Sequence, residues 1–193
     1  MKSQIQAVIF DLDDTLLTAN INFAAIRNEI GCEQGKDILA YVSTLEEKRA
    51  KEAHAIIRKY ELEDAYHATW IPGAREMLEV LHQAKMPTAI VTRNSQEAVQ
   101  VKLNKNQVNV QRVITRENAP PKPDPTALLQ LAEEWQLHTH NIAYVGDFVY
   151  DVLAANNANM HACLYLKRGW ADYAEKADFT FEEYSQLQEY VFR

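Results

Sequence analysis

With 193 residues, 47% of them hydrophobic and 24% charged, the chain has the composition of an ordinary globular protein, long enough for one core with an insertion. A net charge of −7 argues against a nucleic-acid-binding surface, which carries a basic bias, but leaves room for a small anionic substrate held by local positive groups. Cys32 and Cys163 show no metal-type spacing and no disulfide framework, residues 1–10 lack the apolar core and cleavage site of a signal peptide, and no window approaches a membrane span; a reducing, cytoplasmic setting is expected.

The first apolar run, IQAVIF (5–10), is continuous enough for a strand buried on both faces, and it runs straight into Asp11, Asp13 and Asp14. Residues 18–71 hold no convincing strand but two helical stripes, Ile38, Tyr41, Val42, Leu45 and then Ala53, Ile56, Ile57, Tyr60. EEKRAKE (46–52) is a solvated face or a junction between them, and 18–71 reads as a small helical domain inserted after the first strand. Pro72-Gly73 marks the return to alternation. Ala74, Met77, Leu78 and Leu81 form one helical stripe, TAIVT (88–92) a strand, VQRVIT (110–115) a weaker strand, and Leu128, Leu131, Ala132 and Trp135 a second stripe. IAYVG (142–146) and MHACLYL (160–166) complete the strands. This alternation predicts an α/β fold with an open, mostly parallel sheet flanked by helices.

Ligands of such sheets bind just beyond the carboxyl ends of the strands, and four groups of polar residues fall there. Asp11 and Asp13 are two apart, so an extended chain turns both to one side with Leu12 opposite. One can attack as a carboxylate while the other transfers a proton, although an Asp-rich turn closing a strand explains the pair as well. Asp14 faces away and reads as a turn or capping residue. Thr92 is followed by Arg93, Asn94 and Ser95; Asn94 with Glu97 has capping-box spacing, and a helix starting there would offer free N–H groups to a phosphate. A plain strand-to-helix turn is the simpler account of that stretch alone. Lys122, in PPKPDP, would ordinarily be solvated, yet its flanking prolines stiffen the loop. In GDFVYD (146–151), a helical turn would put Asp147 and Asp151 on one face, a pair of oxygen ligands that beside Asp11 suits Mg²⁺. Asp147 as a simple helix cap is the alternative.

Taken together and in this order, FDLDDTLL, Thr92, Lys122 and GDFVYD resemble the four motifs of the haloacid dehalogenase-like phosphatases. The resemblance covers nearly the whole chain and implies a Rossmann-like core from 1–17 and 72–193. Residues 18–71 are placed like the helical cap of the phosphoglycolate phosphatase and β-phosphoglucomutase branch. It further implies Asp11 as the nucleophile that forms an aspartyl-phosphate and Asp13 as the proton donor and acceptor. Thr92, Lys122 and backbone N–H groups near Leu12 and Arg93 would hold phosphoryl oxygens, with Asn94 beside them at the substrate. Mg²⁺ would be bound by Asp11, the Asp13 backbone carbonyl and Asp147, with Asp151 in its outer shell.

The activity so implied is hydrolysis of a small phosphorylated metabolite, with a phosphomutase or a non-catalytic binding protein as alternatives and no nucleic-acid, membrane or protein partner inferred. Dehalogenation is disfavoured, because that branch lacks the second acid of the first motif and Asp13 is present. Two departures stand out: Phe148, where many relatives carry a small polar residue, and Ala158-Asn159 in place of Ala-Gly. Arg93 is placed to reach a second anionic group on the substrate. Arg27, Lys48, Arg49 and Arg58 are basic candidates for specificity within 18–71.

Overall fold

The computed structural model describes residues 5–167 and 169–193. Its centre is a six-stranded sheet of β1 (Ala7–Phe10), β2 (Thr88–Val91), β3 (Arg112–Ile114), β4 (Ile142–Gly146), β5 (His161–Tyr165) and β6 (Phe179–Phe181). The spatial order is β3-β2-β1-β4-β5-β6 and every pairing is parallel. Every residue of β1, β2 and β4 is buried, which is why these strands read as continuous apolar runs rather than alternating ones. Alternate side chains serve opposite faces. Val8 and Phe10 pack with Met77, Leu81 and Ile90 on one side, while Ala7 and Ile9 pack with Leu128, Leu131 and Tyr144 on the other.

Helices cover both faces: α4 (Ala74–Gln83), α5 (Gln96–Asn106), α6 (Thr126–Trp135), α7 (Val149–Asn157) and α8 (Tyr184–Val191). The α4 stripe is buried at Ala74, Met77, Leu78 and Leu81, as its spacing predicts. No helix among the described residues is long and apolar enough to cross a membrane.

Between β1 and α4 lie α1 (Phe23–Ile30), α2 (Ile38–Val42) and α3 (Glu47–Ala65), which share an apolar cluster of Ile26, Ile30, Ile38, Val42, Ala53 and Ile57. The two anticipated stripes fall in α2 and α3, whereas α1 was not anticipated. Its buried side is only Ile26 and Ile30, too short a stripe to register, and its ends are set by caps instead: Asn22 accepts from Ala25 N at 3.0 Å, and Gly31 closes it at φ 75°.

The other differences are local. Ser95, not Asn94, caps α5, because the Asn94 side chain is drawn away to Thr92 and Asp13. Helix α7 starts at Val149, so Asp147 lies in the preceding turn and neither caps the helix nor shares its face with Asp151. β6 and α8 lie in a stretch with no apolar run long enough to predict them. Asn159 adopts φ 53°, the left-handed conformation that Asn tolerates best after Gly.

Strand order reverses between β1 and β4, whose neighbouring connections leave in opposite directions. The gap this opens beyond their carboxyl ends is where such sheets bind ligands.

Candidate active site

Asp11 directly follows β1, its N–H held by the Val145 carbonyl at 2.8 Å. The chain then turns tightly. Leu16 and Leu17 both donate to the Leu12 carbonyl at 3.0 Å, and Asp14 sits at φ 55° with its carboxylate on Ala19 N and Lys167. Asp14 is thus a turn residue, and the Leu12 side chain is buried in the core, which leaves only its backbone for the site.

Lys122 is not solvated. Its ammonium is buried 2.6 Å from Asp11 Oδ1 and 2.6 Å from Asp151 Oδ1. Asp151 is further fixed by the Tyr144 hydroxyl (3.0 Å) and the Phe148 N–H (3.1 Å). Gly146 makes room for this, since a Cβ there would lie 2.2 Å from Asp151 Cγ. Asp147 completes the group: Asp11, Asp147 and Asp151 offer oxygens all within 4.8 Å of one another.

Three carboxylates crowd one ammonium. Burial, then the charges of Asp151 and Asp13, push Asp11 up to about 7 against the pull of Lys122. Burial, followed by Asp11, Asp151 and Asp14, pushes Asp147 up to about 8. Burial would lower Lys122, but Asp11 and Asp151 outweigh it and raise it. Acid in excess of base, all of it oxygen donors, is the chemistry that a hard divalent cation requires, and Asp11, Asp147 and Asp151 are the residues that could hold one.

Asp13 faces the same cleft but is held separately. Asn94 Nδ2 donates to its Oδ2 at 2.7 Å, and Lys102 Nζ lies 2.5 Å from its Oδ1. Thr92, just past β2, accepts from Asn94 N at 3.2 Å, so Thr92, Asn94 and Asp13 form one hydrogen-bonded row. Lys102 is fully buried and also reaches Asp64 Oδ2 at 2.8 Å, while Asp64 Oδ1 takes the Asn20 N–H at 2.6 Å. Lys102 and Asp64 were missed in the sequence. The signal was present: Lys102 stands four residues after Ala98, on the buried stripe of α5.

Arg93 does not stand free for a ligand. Its guanidinium binds Asp37, the N-cap of α2, at 2.6 Å and lies 4.5 Å from the Tyr150 ring centroid. Asp37 is accordingly lowered: burial would raise it, but the Ala40 N–H, Arg93 and Tyr150 prevail. A second buried pair joins Glu61 of α3 to Arg116, just past β3, and Glu61 also accepts from Ser95 N, the cap of α5, at 3.1 Å. Together with Lys102–Asp64, these pairs tie α2 and α3 to α5 and the loops beyond β2 and β3, around a cleft of about 720 Å³ lined by Asp11, Asp13, Thr92, Lys122, Asp147 and Asp151. Of the basic candidates within 18–71, Arg27 lines this cleft, Arg58 pairs with Glu97 elsewhere, and Lys48 and Arg49 are exposed on α3.

The family model described as haloacid dehalogenase-like hydrolase matches residues 8–165. An uncharacterized hydrolase of Saccharomyces cerevisiae is 30% identical over 205 residues, covering 97% of this chain and 91% of the yeast protein. The phosphoglycolate phosphatase of Photobacterium profundum is 29% identical over 219 residues, with coverage of 97% and 96%. Among solved structures, a hydrolase from Pseudomonas syringae superposes with a TM-score of 0.81 at 21% identity, over 95% of this chain and 98% of that one, a likeness of fold.

Proposed function

The chain belongs to the haloacid dehalogenase-like hydrolase family, and we propose that it is a Mg²⁺-dependent phosphatase that cleaves a small phosphorylated metabolite through an aspartyl-phosphate on Asp11. The observation that carries this reading is the buried Lys122 ammonium 2.6 Å from Asp11, with Asp147 and Asp151 gathered on the same carboxylate. Phosphatases among the relatives support the reaction class.

In this mechanism the Asp11 carboxylate attacks phosphorus and the bond from phosphorus to the leaving oxygen breaks. Asp13 gives that oxygen its proton, then takes one from the water that attacks the aspartyl-phosphate, releasing phosphate and restoring Asp11. Asn94 and Lys102 hold Asp13 in place for both transfers. Lys122, Thr92 and the N–H groups of Leu12 and Arg93 receive the phosphoryl oxygens, and Lys122 aligns the Asp11 carboxylate and offsets part of the cost of ionising it. Asp11, Asp147 and the Asp13 carbonyl would hold Mg²⁺, with Asp151 behind them, and the ion would supply compensating charge for the carboxylates and the phosphoryl group.

Residues 18–71 act as the cap over this cleft. Their own apolar cluster and their ion pairs to the sheet suit a unit that closes on the substrate and excludes water. Phosphate release from an aryl phosphate, with and without Mg²⁺, for the native chain and Asp11→Asn, tests the reading. Metal-dependent release that the substitution abolishes is expected; release that survives Asp11→Asn contradicts it.

A further inference from the structure

The cleft beside Asp11 is larger and more aromatic than phosphoryl transfer requires. Phe23, Phe148 and Trp170 line it and remain 52%, 49% and 64% exposed, half of the six large hydrophobic side chains left so open among the described residues. They come from both walls. Phe23 opens α1, Phe148 directly follows Asp147, and Trp170 lies in the chain after β5. Tyr150 and Tyr173 extend the surface, meeting the Phe148 ring edge to face at 5.3 and 6.0 Å between centroids. Apolar rings gathered in this way and left in water mark a binding surface more often than chance. A short aliphatic leaving group such as glycolate would leave most of this surface wet. A planar ring can cover it by stacking.

We propose that these side chains form a leaving-group subsite, so that the substrates are phosphomonoesters whose alcohol carries a planar aromatic ring, with the phosphoryl group at Asp11 and the ring against Phe148 and Trp170. This rests on the phosphatase reading above and narrows it. The bond broken is that between phosphorus and the alcohol oxygen; water supplies hydroxide to phosphorus and a proton to the departing alcohol.

Two comparisons isolate the ring while keeping a primary alcohol as leaving group: AMP and UMP against ribose 5-phosphate, and 2-phenylethyl phosphate against ethyl phosphate. Stacking on aromatic side chains predicts a kcat/KM at least about tenfold higher for the aromatic member of one or both comparisons. That ratio falls toward one in Phe148→Ala and Trp170→Ala, whose exposed side chains leave the fold intact, as unchanged thermal unfolding would verify. Ratios near one in the native chain while all the compounds are hydrolysed overturn the subsite and leave the phosphatase reading standing, as does a preference that persists in both variants. Phosphate released from none of the compounds in the presence of Mg²⁺ overturns the phosphatase reading itself.

Discussion

Lys102→Met removes a fully buried ammonium from between two carboxylates while keeping a side chain of similar length. The native contacts are 2.5 Å to Asp13 and 2.8 Å to Asp64, whose side chain is 5% exposed. Breaking a buried pair by deleting one partner costs about 3–5 kcal/mol, because the remaining charge is stranded. The lower end applies here: Asp13 keeps Asn94 and is 20% exposed, and Asp64 keeps the Asn20 N–H. A loss of about 3 kcal/mol corresponds to a fall in Tm of roughly 6–12 °C for a chain of this size. Burial opposes the charge on Lys102, but Asp13 and Asp64 more than reverse that and raise its pKa above 10.5. A raised ammonium contributes its stability fully below its unfolded value and loses it only as pH rises through the folded one. The cost should therefore be the same at pH 6 and pH 9. Urea unfolding measures it, and Asp64→Asn added to Lys102→Met should restore part of the loss. A single-variant cost under about 1 kcal/mol, or a double variant no more stable than the single, refutes the reasoning.

Gly146→Ala drives a Cβ into Asp151 and loosens its hold on Lys122; disturbing such a supporting contact lowers activity about 10–100-fold, and near-native kcat would contradict the geometry. Asp11 and Asp147, raised to about 7 and about 8 from 3.8, are harder to ionise in the folded chain than in the unfolded one, so they lower its stability progressively as pH rises from about 4 to about 8. Thermal unfolding should accordingly show a larger stabilisation by Mg²⁺ at pH 8.5 than at pH 5.5, and equal shifts at both would count against a shared cation site. Arg93→Gln and Asp37→Asn remove the same half-buried contact, so a double-mutant cycle on stability should give a coupling of about 1 kcal/mol; strict additivity would dissolve the link between α2 and the sheet.

The strands β1, β2, β4 and β5 could be read from the sequence because burial on both faces turns a strand into a continuous apolar run. Asp11, Asp13, Lys122, Asp147 and Asp151 could be singled out because the fold places strand ends together, and their order along the chain repeats a family's order. What escaped depends on tertiary pairing. Lys102 looks like a surface lysine until Asp13, 89 positions away, is seen beside it. Arg93 looks like a free substrate contact until Asp37, 56 positions away, takes its guanidinium. Lys122 looks solvated for the same reason. β6, with three residues, has too little periodicity to distinguish it from a loop.

The aspartyl-phosphate proposed on Asp11 can be trapped chemically. Mass spectrometry of the enzyme quenched in acid during turnover, followed by borohydride reduction of any acyl phosphate, tests it most directly. A phosphoryl adduct is expected on the peptide containing Asp11, reduced there to homoserine and absent from Asp11→Asn. An active enzyme with no adduct, or with the adduct on any other residue, would contradict it.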